Sequence, residues 1–162
     1  MNEERFIQRD RMRFIRNSTS ANLCYLGILF NVFYFVNLYQ SDVGTYYYQI
    51  FIGASIVYNL LFLLVVFLAS EAVKNYVKSY SYLLCAVGVM QVVRIFYIPM
   101  RAHVAMTSVN GVDVPVMGDS QFYLLLVYLL ISAVCLLISA AVNFKKCQEL
   151  SEHMKTLEAQ KS

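Results

Sequence analysis

Four stretches that are nearly free of charged residues divide this chain of 162 residues. Each has the length of about 20 residues that crosses the hydrocarbon core of a bilayer, about 30 Å thick, as an α-helix. Backbone polar groups find no water in lipid, so a spanning segment has to satisfy them internally as a helix. The sequence therefore predicts an all-α integral membrane protein, with spans at residues 20–39, 46–69, 80–100 and 121–144.

A soluble four-helix bundle is the main alternative, and it would keep a polar face on each helix. The stretch from Asn59 to Ala69 is apolar in every direction around a helix except at Asn59 itself. The chain is also 59% hydrophobic and 14% charged, whereas soluble domains have about 45–50% apolar and 25% charged residues. Both observations favour the membrane protein.

The distribution of lysine and arginine predicts the orientation in the membrane. Five arginines precede the first span, Lys74 and Lys78 separate the second and third spans, and four lysines follow the fourth. Four crossings place all of these residues on one side, which the positive-inside rule assigns to the cytoplasm. We therefore expect an antiparallel four-transmembrane-helix bundle in the plasma membrane, with both termini cytoplasmic.

Three regions follow from this topology. They are a basic cytoplasmic or interfacial segment at 1–19, a transmembrane domain at 20–144 and a cytoplasmic helical tail at 145–162. The basic first segment suits the anionic surface of a membrane. Because positive-inside bias already explains its arginines, no nucleic acid partner is expected.

Each predicted span carries one polar residue within about one helical turn of the bilayer midplane. These residues are Asn31, Asn59, Gln91 and Ser132. They could form a small polar site or a hydrated path through the bundle. They could also join the helices by hydrogen bonds, which contribute about 0.6 kcal/mol each in membranes. We favour the hydrogen bonds.

Arg94 is the charged residue inside the third span, about 21 Å from Tyr80 along the helix. No Asp or Glu occurs within the four predicted spans. Its long side chain can reach toward the headgroups, which is the interpretation we favour. Pairing with a carboxylate of a partner subunit and binding of an anionic ligand are the alternatives. Asp42, in the turn after the first span, is the expected partner within this chain.

Two segments outside the spans carry further patterns. In the loop at 101–120, valines alternate around Asn110 and Gly111, which is compatible with a β-hairpin or with an irregular loop. In the tail, apolar residues recur at spacings of three and four, as on one stripe of a helix. This stripe could bind a partner protein, or the tail could be a fraying charged end. Its members are Cys147, Leu150, Met154 and Leu157.

The sequence shows no HExxH or CxxC spacing, no glycine-rich phosphate loop and no nucleophile elbow. We therefore predict no catalytic, cofactor-binding or metal site and no enzymatic activity. The expected function is that of a non-catalytic accessory or scaffold subunit of a larger membrane complex, for example a transporter complex. Its partners would be the lipid bilayer and other membrane subunits or further copies of this chain. The alternative is a small homo-oligomeric transporter or channel with a polar path through the bundle.

Overall fold

The structure is a computed structural model that describes residues 15–38, 46–109, 111–115 and 117–161. Its long elements are four helices, and a short helix and two short strands lie between the third and the last of them. In chain order the elements are α1 (Ser18–Leu38), α2 (Tyr46–Lys74), α3 (Ser79–Tyr97), α4 (Pro99–Val104), β1 (Met106–Val109), β2 (Val112–Pro115) and α5 (Asp119–Lys161).

The four long helices contain segments that are long and apolar enough to cross a membrane, which confirms the predicted membrane class. Their outward side chains are apolar, as at Leu60, Leu64 and Phe96, which are each more than half exposed. A continuous apolar surface of this kind is rare in soluble monomers but is compatible with lipid. The protein is therefore a multi-pass membrane protein.

The ends of α1 and α3 follow from local chemistry. Asn17 caps α1, because its side-chain oxygen Oδ1 accepts a hydrogen bond from the backbone N–H of Ser20 at 3.3 Å. Helix α3 ends just before Pro99, which has no N–H to donate and crowds the preceding turn. Pro99 is instead the first residue of α4, where that N–H would have no helical partner.

The loop after α4 forms an antiparallel hairpin, so the structure favours the first of the two alternatives that the sequence left open. Met106 pairs with Pro115 and Val109 with Val112 across β1 and β2. Gly111 has a φ of +80°, a left-handed conformation that glycine adopts without steric cost. The chain then returns to the helices through Met117, which is buried among apolar residues near the start of α5.

Helix α5 packs against both α1 and α3, and α2 packs against α1 and α3 from the other side. Two glycines permit the close approach to α5. A Cβ atom on Gly27 would lie 3.0 Å from Leu136, and one on Gly88 would lie 3.0 Å from Leu137. The interior has two apolar layers. One lies around Cys24, Val66, Leu84 and Leu136, and the other around Tyr34, Ile95, Leu125 and Leu129.

We predict that Gly27→Leu destabilises the fold by about 1–3 kcal/mol, because the added side chain overpacks the contact with α5. Gly53→Leu is the matched control, since among the described residues no atom from outside its own stretch of helix lies within 4 Å of a Cβ at that position. Thermal unfolding in mild detergent measures both variants. Equal midpoints for the two variants would contradict the close packing of α1 on α5.

Candidate functional site

Arg94 lies in the interior of the protein, between the two apolar layers, and is only 5% exposed. Its guanidinium donates hydrogen bonds from Nη1 to Oδ1 of Asn59 at 2.9 Å and to Oδ1 of Asn31 at 3.3 Å. Nη2 donates to Oγ of Ser55 at 3.0 Å. One cation on α3 therefore binds side chains of both α1 and α2.

The amide groups around Arg94 are also bonded to one another. Asn31 donates from Nδ2 to Oδ1 of Asn59 at 3.1 Å, and Gln91 donates from Nε2 to Oδ1 of Asn31 at 2.9 Å. Asn59 donates from Nδ2 to the carbonyl oxygen of Ser55 at 2.9 Å. Since arginine can only donate, the amide oxygens have to face it, which fixes the direction of these bonds. We call Asn31, Ser55, Asn59, Gln91 and Arg94 the arginine cluster.

Two tyrosine rings complete the surroundings of the guanidinium. The Cζ atom of Arg94 lies 4.4 Å from the ring centroid of Tyr34 and 4.6 Å from that of Tyr58. A cation within about 6 Å of an aromatic face is attracted to it, and the attraction is larger where water is excluded. Amide oxygens, a hydroxyl group and ring faces thus replace the hydration of the charge.

The depth of Arg94 explains why this replacement is needed. Arg94 follows Ser79 by 15 residues, or roughly 22 Å along α3, and the apolar segment of this region continues to Val104. The side chain does not reach along the helix toward its end, as we expected from the sequence, but contacts neighbouring helices at its own level. Because guanidinium does not lose its proton in proteins, the site holds a fixed positive charge and is unsuited to acid–base chemistry.

Four of the residues singled out in the sequence thus lie together: Asn31, Asn59, Gln91 and Arg94. Ser132 lies apart from them, because its hydroxyl donates to the carbonyl oxygen of Gly27 at 2.8 Å, in the contact between α5 and α1. Asp42, the expected partner of Arg94, lies outside the described residues.

The apolar stripe of the tail lies on the last part of α5. Cys147 donates from Sγ to the carbonyl oxygen of Tyr76 at 3.2 Å, and Leu150 is half-buried. Met154 is 51% exposed and Leu157 is 42% exposed. The structure therefore brings the first part of the stripe against the connection between α2 and α3 and leaves the second part open.

Sequence reasoning did not assign Ser55, Tyr34 and Tyr58 to the site. A signal was available in the spacing, because residues three or four apart share one face of a helix. Tyr34 follows Asn31 by three residues, Tyr58 follows Ser55 by three, and Arg94 follows Gln91 by three. Asn59 also follows Ser55 by four residues. Each polar residue of the cluster therefore shares a helix face with another residue of the site.

A second set of buried polar side chains joins the helices at the other end of the protein, where α1 and α3 begin. Asn143 on α5 accepts from Asn17 at 3.0 Å through Oδ1 and donates from Nδ2 to Oγ of Ser81 at 2.8 Å. Ser139 donates to the carbonyl oxygen of Ser20 at 2.8 Å. We call Asn17, Ser20, Ser81, Ser139 and Asn143 the basal cluster. It fixes α5 to the start of α1 and the start of α3.

A cleft of about 330 Å³ opens between α2 and α3 beside Arg94. Ser55 and Arg94 form its polar part, and exposed apolar residues such as Met90 and Val93 form much of the rest. The other lining residues are Ala54, Tyr58, Tyr97 and Ile98. Arg94 and Ser55 therefore border the cleft from its inner side, and the surface that the cleft exposes is almost wholly apolar.

No family model matches this chain, and no curated protein or solved structure is significantly similar to it. Within the described ranges, no group of three His, Cys, Asp or Glu residues could hold a metal ion.

We predict that Asn59→Leu destabilises the protein by about 1–3 kcal/mol, because it removes a principal acceptor of the buried Arg94 guanidinium. Asn37→Leu is the control, since within the described part of the chain the side chain of Asn37 donates to Phe33 of its own helix and to no other helix. Chemical unfolding in detergent gives both values.

A double variant tests whether the stability lost in Asn59→Leu comes from the contact between Asn59 and Arg94. Arg94→Leu combined with Asn59→Leu removes donor and acceptor together, and replacing both partners is close to neutral where removing one is not. We expect the double variant to be more stable than Asn59→Leu alone. Additive losses would mean that the contact between Arg94 and Asn59 does not stabilise the fold.

Proposed function

We propose that this protein is a non-catalytic accessory or scaffold subunit of a larger complex in the plasma membrane. The observation that carries the proposal is the length of α5. Its 43 residues extend over roughly 65 Å, about twice the thickness of a bilayer core of about 30 Å. The helix therefore continues well beyond its apolar part and presents Met154 and Leu157 outside the membrane.

The exposure of Met154 and Leu157 supports the binding of a partner protein at the tail of α5. Met154 and Leu157 lie three residues apart on one face of a regular helix, at a level where lipid no longer covers them. An amphipathic helix presents such residues to a hydrophobic groove of a partner. Methionine in particular adapts to irregular apolar surfaces.

The arrangement of the basic residues supports the proposed topology. The backbone N–H of Asn17 donates to the carbonyl oxygen of Lys74 at 2.9 Å, so the start of α1 meets the end of α2, as antiparallel helices require. At the same end, Lys78 lies 4.8 Å from the ring centroid of Phe144, and Lys146 lies 3.5 Å from Oγ1 of Thr19. A basic end of this kind is assigned to the cytoplasm, together with both termini.

The arginine cluster argues against the alternative of a homo-oligomeric channel. In such a channel, polar residues would have to face a water-filled path between copies of the chain. Asn31, Asn59 and Gln91 instead have exposed fractions of 0–2% and hydrogen-bond to residues of the same chain. These side chains join helices within one subunit.

We predict that Met154→Glu with Leu157→Glu reduces the recovery of a stoichiometric partner from native membranes about a hundredfold or more, since two buried apolar side chains are lost at a cost of about 1.5–3 kcal/mol each. Gln148→Glu with Thr156→Glu adds the same charge to the opposite face of α5 and should leave recovery unchanged. The measurement is affinity purification in mild detergent with quantified co-purifying chains.

Two results would contradict the proposal. The first is a monodisperse protein that co-purifies with no stoichiometric chain. The second is anion flux through liposomes that contain this protein alone, with the flux lost in Arg94→Ala. That second result would establish the channel.

A further inference from the structure

We propose that the cleft between α2 and α3 binds a single-chain lipid with a carboxylate head, that is, a fatty acid. In this complex Arg94 and Ser55 hold the carboxylate, and the acyl chain runs along the apolar surface of α3. The site is separate from the tail of α5 and does not depend on the proposed accessory role.

The polar part of the cleft fits a small anion. Arg94 contributes a permanent positive charge to the wall of the cleft, and its planar N–H groups match the two oxygens of a carboxylate. Ser55 accepts a hydrogen bond from Arg94 through Oγ, and its hydroxyl proton can turn toward a second acceptor. Both side chains are at least nine-tenths buried, so an anion beside them would lie in a medium of low dielectric constant.

The apolar part of the cleft fits an acyl chain. Met90 and Val93 are 51% and 44% exposed and line the cleft together with Ala54 and Ile98. These residues lie on the surface that faces lipid, so a chain can enter sideways from the bilayer. The volume of about 330 Å³ is near the lower end of the range of about 300–1,000 Å³ for small-molecule sites. This volume suits one acyl chain better than two.

The depth of the site favours a carboxylate over a phospholipid headgroup. Arg94 precedes Pro99 by five residues, which is roughly 7 Å along the helix. The head of the ligand therefore has to leave the headgroup level and enter the apolar region. A carboxylate head with one chain is smaller than a phosphodiester with its glycerol and two chains, so it fits a cleft of about 330 Å³ better.

The test uses the full-length protein in lipid nanodiscs and a pair of probes. One probe is a fatty acid with a photoactivatable diazirine in its chain, and the other is the fatty alcohol of the same length with the diazirine at the same position. Labelled residues are mapped by mass spectrometry after proteolysis. We expect the acid to label residues of the cleft, and the alcohol to label them about tenfold less, as for the loss of one charge-assisted hydrogen bond.

Variants separate this site from general contact with lipid. Ala54→Phe fills the cleft at an exposed position outside the arginine cluster and should abolish specific labelling by the acid. Leu64→Phe adds an aromatic side chain to the lipid-facing surface of the same helix and should leave labelling unchanged. Arg94→Gln should reduce labelling by the acid to the level of the alcohol, and Arg94→Lys should restore part of it. If Arg94→Gln does not fold, the loss or persistence of labelling by the acid in Ala54→Phe tests the proposal.

Three results would overturn the proposal. The first is equal labelling of the cleft by the acid and the alcohol, and the second is labelling by the acid that persists in Ala54→Phe. The third comes from native membranes: if a photo-crosslinker at Val93 captures a polypeptide and no acyl chain, the cleft receives a helix of a partner protein.

Discussion

A permanent charge at the depth of Arg94 has to be solvated by the protein itself, and much of the architecture follows from this requirement. One helix cannot surround its own guanidinium with acceptors, because side chains three and four residues away lie along a single face. Asn31 on α1 and Ser55 and Asn59 on α2 provide the oxygens, and Tyr34 and Tyr58 provide the ring faces. The rotation of α1, α2 and α3 about their axes is thereby fixed by one side chain.

The arginine cluster and the basal cluster use different chemistry. The arginine cluster joins α1, α2 and α3 through a cation and long amide side chains. The basal cluster and Ser132 join α5 to its neighbours mainly through short hydroxyl and amide groups, several of which bond directly to backbone carbonyl oxygens. Short side chains and Gly27 allow backbones to approach closely, which stabilises helix pairs in lipid, where the hydrophobic effect does not drive their association.

The sequence was sufficient to predict four membrane spans, because a run of about 20 apolar residues marks a segment that can cross the bilayer as a helix. It also identified Asn31, Asn59, Gln91 and Ser132 as polar residues near the middle of the spans, and Arg94 as a charged residue inside the third span. It did not predict which of them meet, since pairing depends on the rotation of each helix about its axis. Ser132 illustrates the limit: it has a similar predicted depth, yet its hydroxyl donates to the backbone carbonyl oxygen of Gly27, about one helical turn from Asn31 along α1. Ser55 was missed for a related reason, because a serine in a helix is equally compatible with packing and with binding a charge.

All five members of the arginine cluster belong to the first three long helices. During synthesis these helices leave the ribosome before α5, so the described groups that solvate Arg94 are present once α3 has been inserted. A nascent chain of three helices can therefore offer these groups to the charge before α5 is made. Helix α5 then meets a surface that already carries Gly27, Gly88 and the serines to which it binds. Order of emergence from the ribosome thus matches the order in which the polar groups of this protein can be satisfied.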